Sequence, residues 1–356
     1  MGRKLVFILI WHLFAISIAI ASNFNNFRVP IYFNWKSGIA YDSNYLKLST
    51  SEINELHLYP AYLGDSETSH SLIAKNSLTI EYKPFVWEKH QTKIKFKLST
   101  NNYFASKEKS YSLFGMYLAQ HIGKYEWLRF GISYMPKYYL RGYRDRDDIV
   151  LNENTNNILV GCEFSQESIT LSYSKKLNGI KKSWMEGEIN YKTQYYNPAF
   201  TEFDLEILSY GLSIYLHMLT NYSISTKMLV SRADNASHQI GIDRSYNQQS
   251  YSVSMSKSRI DLTWIQKLGV SYIFVNRSYN SNEIADPLHN GRFHDESKIA
   301  IWISAPLNDV LHYKLYGSCR DRITKADNPW VEELKDFSKY ELLFQLSYYF
   351  TSDILY

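Results

Sequence analysis

Tyr340 to Phe350 reads Y-E-L-L-F-Q-L-S-Y-Y-F, and this stretch decides the fold. Leu342, Phe344, Leu346, Tyr348 and Phe350 occupy every second position, while Leu343, Gln345, Ser347 and Tyr349 fill the alternate ones. Side chains of a strand alternate between its two faces, so the first set forms one apolar face that ends in aromatics. The second face is polar or amphipathic. No apolar run long enough for a helical span follows the first twenty or so residues.

Working back from this stretch, the same period of two divides the chain into about fourteen strand-like segments, each near the length of a tilted bilayer crossing. They are Lys36 to Tyr45, Leu72 to Lys83, Thr92 to Tyr103, Ser110 to His121, Tyr125 to Pro136, Gln166 to Lys176 and Ser183 to Tyr195. Phe203 to His217, Tyr222 to Arg232, Arg244 to Lys257, Asp261 to Asn276, Arg292 to Ala305, Val310 to Arg322 and Lys339 to Phe350 complete the set. Ile94, Phe96 and Leu98 alternate with Lys93, Lys95 and Lys97. Leu128, Phe130 and Ile132 alternate with Arg129, Gly131 and Ser133, and Met185, Ile189 and Tyr191 with Glu186, Glu188 and Lys192. Ser110 to His121 is apolar on both faces, and Gln266 interrupts the apolar face of its strand.

A two-sheet sandwich would alternate in the same way. The connections discriminate between the two folds. Ile122 to Lys124, Leu177 to Lys182, Met218 to Asn221, Ser258 to Ile260 and Pro306 to Asp309 are short, with Pro84 to Gln91 the longest of this set. They interleave with the long connections Leu46 to Ser71, Lys137 to Ser165, Ala233 to Asp243, Arg277 to Gly291 and Ile323 to Ser338. A barrel crossing a membrane sorts its turns to one end and its loops to the other. A sandwich has no reason to do so. Closure also removes the exposed edges that so many strands would otherwise carry.

The N-terminus is a separate object. Arg3 and Lys4 precede an apolar run from Leu5 to Ile20, and Ala19-Ile20-Ala21 is a small-x-small site before Ser22. This pattern predicts a secretory signal peptide over residues 1–21, cleaved after Ala21, and one barrel domain over 22–356. The competing reading of residues 5–20 is a single membrane anchor. The chain has 356 residues, with 31 Tyr, 18 Phe and 8 Trp, and this 16% aromatic content suits membrane interfaces. A net charge of +4 gives no basis for a nucleic-acid partner.

The signal peptide, the alternating strands, the loop parity and the aromatic C-terminal strand together resemble Gram-negative outer-membrane β-barrel proteins of the porin or transporter type. The resemblance is architectural and covers nearly the whole mature chain. It implies an all-β, antiparallel up-and-down transmembrane barrel with short periplasmic turns and long extracellular loops. It also implies outer-membrane lipids and the barrel-assembly machinery as partners, with Phe344, Leu346, Tyr348 and Phe350 as the assembly signal, and an unidentified small solute as cargo. Oligomeric state is left open, and the alternatives to a pore are an assembly, secretion or adhesion barrel that engages a protein partner and, behind it, a lipid- or peptide-hydrolysing outer-membrane enzyme. Thr351 to Tyr356 depart from the family pattern, in which the chain ends on the aromatic residue. Either the last strand runs on, or a short periplasmic tail follows.

Charged residues divide into two sets. Arg141, Arg144, Asp145, Arg146, Asp147 and Asp148 crowd one predicted loop; folded inward, they would form a selectivity constriction, and left outward, a solvated surface. Lys93, Lys95, Lys97, Arg129, Lys192, Lys227 and Lys298 fall on predicted lumen faces, because a charge facing lipid costs about 2–4 kcal/mol. Glu186, Glu188 and Glu206 are candidate cross-strand partners for them. Cys162 and Cys319 form a candidate disulfide in an exported chain, or two separate thiols.

Catalytic signatures are absent from the sequence: it has no G-x-S-x-G elbow, no H-E-x-x-H, no Walker A loop and no dinucleotide fingerprint. His217, His238, His289, His294 and Asp243 have no catalytic spacing, and His289 and His294 with Asp286 and Asp295 fit no standard metal site. The expectation is therefore a non-enzyme without cofactor or metal. Asn197-Pro198-Ala199 resembles a motif of long-chain fatty acid transporters, but here it lies mid-chain in a short loop rather than in an N-terminal plug.

Overall fold

A computed structural model describes residues 28–355, apart from 85, 88–89, 145–158, 181, 219–220, 237–242, 263 and 283–285. The expected leader over residues 1–21 and its expected cleavage site lie outside the described residues. Fourteen strands form a closed antiparallel wall. They are β1 (Arg28–Asp42), β2 (Ser71–Tyr82), β3 (His90–Tyr103), β4 (Tyr111–Gly123), β5 (Glu126–Arg144), β6 (Leu159–Lys176) and β7 (Trp184–Tyr196). β8 (Leu205–Met218), β9 (Tyr222–Asn235), β10 (Tyr246–Leu262), β11 (Ile265–Tyr279), β12 (Phe293–Pro306), β13 (Leu311–Lys325) and β14 (Phe337–Leu355) complete it. Each strand pairs with its neighbour in the chain, and β1 pairs with β14 from Arg28↔Leu355 to Asp42↔Glu341, which closes the barrel.

The loop parity holds. Connections 83–89, 124–125, 177–183, 219–221, 263–264 and 307–310 lie at one end together with both ends of the wall. At the other end lie 43–70, 104–110, 197–204, 280–292 and 326–336, together with the strand ends Arg144 and Leu159 and the strand ends Asn235 and Tyr246. The faces also fall as the alternation predicts. Leu342, Phe344, Tyr348 and Phe350 of β14 are exposed on the outer surface, as are Ile169 and Leu171 of β6, Val253 and Met255 of β10, and Ile299 and Ile301 of β12. Such a continuous apolar exterior is stable only against lipid. Outward aromatics gather toward its borders: Trp35, Tyr348 and Phe350 in the turn half, and Tyr191, Tyr195 and Tyr340 in the loop half. Gln266 lies on this face one residue inside the turn end of β11, where it meets the interface rather than the hydrocarbon.

Several strand ends differ from the sequence reading, among them the start of β6 at Leu159 rather than Gln166 and the end of β10 at Leu262 rather than Lys257. β5 runs on to Arg144 because register shifts between Met135 and Tyr138, and again between Tyr139 and Arg141, absorb extra residues. Pro136 cannot donate to a ladder, and the bulges break the period of two that marks a strand. β1 begins at Arg28, its start hidden by Pro30 and by aromatics on both faces, Tyr32, Phe33 and Trp35. β14 continues to Leu355: Thr351 pairs with Tyr32 and Asp353 with Pro30, so Thr351 to Leu355 are wall and not tail.

The apolar residues on both faces of β4 are resolved in the same way. Phe114 and Leu118 face outward, Leu113 packs beneath a buried cluster at the loop end, and Tyr117 lies inside. The Tyr117 ring rests flat on the wall over two glycines. A Cβ on Gly115 would come within 2.8 Å of that ring, and one on Gly131 within 2.7 Å. Only glycine permits this approach.

Candidate functional site

The interior of the wall is lined by short and charged side chains whose polar groups are satisfied across strands. Serine pairs bridge β2 and β3 (Ser77–Ser99, 2.9 Å), β5 and β6 (Ser133–Ser168, 2.7 Å) and β8 and β9 (Ser209–Ser231, 2.8 Å). Arg129 of β5 donates to Glu186 of β7 at 3.0 Å, and Lys227 of β9 to Glu188 of β7 at 2.5 Å. Lys192 of β7 lies within electrostatic reach of Arg277 of β11, four strands away. Glu206 departs from expectation: it lies exposed on the outer face of β8, next to Tyr191, and not in the lumen.

A cavity of about 960 Å³ runs along the inner wall of β1 to β5. Lys93, Lys95, Lys97 and Arg129 line it, as the alternation predicts, together with Lys36 and Trp127. Its lining runs from Lys93 and Trp127 near the turn end to Lys75 and Asn101 in the loop half, so the cavity extends along most of the height of the wall.

The loop half is capped. α1 (Thr50–Asn54) follows β1, and α2 (Pro329–Lys335) follows β13. α1 begins with a capping box: the Ser49 hydroxyl accepts from the Glu52 amide at 3.1 Å, and the Glu52 carboxylate accepts from the Ser49 amide at 2.9 Å. The same carboxylate receives both terminal nitrogens of Arg141, at 2.9 and 2.5 Å. Arg141 is nearly buried there. Lys335 of α2 reaches 5.1 Å from the ring of Tyr143 on β5, on the far side of the barrel from its own strands. The kinked helical segment Pro198–Phe203 joins from a third loop, with Phe200 against Tyr143 at 6.3 Å and Phe203 against His289 of a fourth loop at 6.1 Å.

Lys109 ties the 104–110 connection to β5. Its ammonium donates to the carbonyls of Tyr139 (2.6 Å) and Leu140 (3.0 Å), beside the bulge in β5. Burial pushes its pKa down to about 7. Burial likewise pushes Lys47 and Lys335 well below the usual lysine range. His289, which shares its Nδ1 with both oxygens of Asp286 at 2.9 Å, is pushed by burial down to about 4.

The predicted constriction segment is described only in part, and its start differs from the sequence reading. Arg141 belongs to β5, not to a loop, and its charge is neutralised by Glu52. The backbone of Arg144 ends the same strand, and Asp145, Arg146, Asp147 and Asp148 lie outside the described residues. Among the described residues, inward segments come from the β1–β2 and β13–β14 connections. The capping box Ser49-Thr50-Ser51-Glu52 and the helix start Asn328-Pro329 were the sequence signals for them.

Cys162 is buried against Met135, Phe164, Tyr196 and Phe200, while Cys319 is exposed on the outer face of β13. Both thiols are free, because one points inward and the other outward on distant strands. Asn197, of the Asn-Pro-Ala motif, fixes its loop: it accepts from the Glu163 amide at 3.1 Å and donates to the Gly161 carbonyl at 3.0 Å. His294 sits near Arg322 and Arg277, and Asp295 accepts from Asn276 at 2.9 Å. No group of three metal-ligating side chains gathers among the described residues.

The closed wall, its apolar exterior and its charged interior define a transmembrane β-barrel of the outer-membrane type. No family model matches the chain, and no curated protein matches it. Solved structures do. OmpT of Vibrio cholerae, an outer membrane protein folded in vitro, is 8% identical with a TM-score of 0.48, over 90% of this chain and 97% of its own. The anion-selective porin from Comamonas acidovorans is 9% identical with a TM-score of 0.42, over 90% and 99%. OprD of Pseudomonas aeruginosa is 8% identical with a TM-score of 0.37, over 92% and 96%. Identities this low transfer no function.

Proposed function

We propose that this protein is an outer-membrane pore or transporter for a small solute, exported by its leader and inserted by the barrel-assembly machinery into outer-membrane lipid. The observation that carries the reading is the cavity of about 960 Å³ inside the wall. Its volume is at the upper end of the range for small-molecule sites, and its lining is polar where a barrel filled for stability would be packed. The solute crosses passively, and the cap formed by α1, α2 and the 197–204 loop gates the loop half. The reading assigns no catalytic role and no cofactor.

The test is reconstitution in planar bilayers. Discrete conductance steps are expected, larger in a variant that frees the cap, such as E52A. Silence in both the parent and E52A, with a heat-modifiable folded band on a gel, overturns the pore reading.

A further inference from the structure

The charges lining the cavity do not balance. Lys36, Lys75, Lys93, Lys95, Lys97 and Arg129 face one acid, Glu81. Some of these cations are neutralised: Lys75 by Glu341 at 2.6 Å, Lys95 by Glu81 at 3.4 Å and Arg129 by Glu186 at 3.0 Å. Lys36, Lys93 and Lys97 have no carboxylate within ion-pair distance among the described residues.

The register brings Lys36 and Lys97 together, with Lys93 further along the same cavity. Lys36 of β1 pairs across to Ser77 of β2, and Ser77 to Ser99 of β3. Asn34, Thr79 and Lys97 form a parallel row two residues nearer the turn end, so Lys36 and Lys97 flank β2 and repel one another. Lys93 lies further along the face of β3, its ammonium 4.6 Å from the ring centroid of Trp127. The hydroxyls and amides of Asn34, Ser77, Thr79 and Ser99 lie among them. Three unneutralised ammonium groups on β1 and β3, either side of β2 in a low-dielectric wall, focus a positive potential into the cavity they line. Rings of lysine and arginine of this kind select anions.

We infer that the cavity is a binding chamber for a small organic dianion, held by Lys36, Lys93 and Lys97 and by the polar rows between them. This rests on the pore reading, and it adds the chemical class of the solute. Two negative charges fit the surplus better than one, since a monoanion would leave adjacent lysines repelling. The chamber is also much larger than an inorganic ion, so the charged head needs an organic body to fill the rest.

Two measurements separate this inference from the reading beneath it. The first is titration of the detergent-folded barrel with inorganic pyrophosphate, followed by calorimetry, for the parent and the triple variant K36Q, K93Q and K97Q. Saturable binding is expected in the parent, weakened by at least about tenfold in the triple variant, since each lost charge-assisted contact is worth about that much. The second is the reversal potential of the bilayer current under a potassium chloride gradient, expected to show anion preference in the parent and to lose it in the variant. Should the triple variant lose its heat-modifiable band, K97Q alone takes its place. Binding without conductance sustains the anion chamber and sinks the pore. Conductance without anion preference or pyrophosphate binding overturns the chamber and leaves the pore standing.

Discussion

Glu52 holds Arg141 from the opposite side of three strands. A glutamate on a five-residue helix after β1 receives both terminal nitrogens of an arginine on β5, while one of its oxygens also caps its own helix. One carboxylate thereby serves the local fold of α1 and its docking in the lumen. Replacing Glu52 with alanine leaves Arg141 charged and nearly buried with no counter-ion, which costs about 3–5 kcal/mol. The expected outcome is an intact barrel with a released cap: the heat-modifiable band persists, conductance rises, and protease cuts within 43–70. The double variant E52L with R141M is expected to restore protection, since a buried pair replaced by apolar groups is often neutral.

The cap is expected to loosen in acid. His289 is held down to about 4 from its ordinary 6.5, so the fold favours its neutral form. Its contribution is fully present above the ordinary value and is lost as pH falls through about 4. Asp286 opposes this shift, and Arg292 and Arg244 reinforce it. Lys109 acts in the same direction at higher pH: its contribution is present above 10.5 and lost as pH falls through about 7. Conductance measured between pH 4 and 10 is expected to fall as pH rises. H289F and K109M are each expected to flatten the limb they govern.

Tyr117 lies against the wall only because positions 115 and 131 have no side chain. In G131A the new Cβ meets the ring, and overpacking of this kind costs about 1–3 kcal/mol or turns the ring into the lumen. The expected outcome is a lower unit conductance. Adding Y117A is expected to relieve it, because the clash disappears with the ring.

A chain ending at Phe350 lacks the residues that pair with Arg28 through Tyr32. Such a truncation is expected to insert poorly and to lose the folded band on an unboiled gel, where a dispensable tail would leave it unchanged.

In folded protein, one thiol is expected to react with a lipophilic maleimide and two after denaturation, because Cys319 is exposed and Cys162 is buried. Reducing and non-reducing gels are expected to agree.

The wall was legible in the sequence because a strand facing lipid on one side and water on the other must alternate, and residues such as Ile299, Lys298 and Ile301 obey that rule without exception. Loop parity supplied the rest of the topology. The reading failed where the period of two is broken: at Pro136 and the bulges that follow, at Pro30, and at the polar Thr351 to Asp353. The cavity lysines on β3 were legible for the same reason as the wall. The cap was not, because Glu52 meets Arg141 and Lys335 meets Tyr143 across the barrel from segments far apart in the chain, and no periodicity reports such contacts. Their helices had local signals in Ser49 to Glu52 and Asn328-Pro329, but a helix start does not say where the helix will lie.

The pairing of β1 with β14 also bears on the order of assembly. Every other neighbouring pair in the wall is consecutive in the chain and can zip locally, whereas this one joins segments separated by almost the whole polypeptide. Long-range pairing is slow, since the closure entropy is met before any contact forms. Until Phe337 onward has been delivered, β1 presents a bare edge, as does the newest strand of the growing sheet. Asp42 with Lys339, and Glu341 with Lys75, are both 2.6 Å ion pairs at the loop end of this seam. They act as a latch on the final event of biogenesis, the moment an open, adhesive sheet becomes a sealed cylinder.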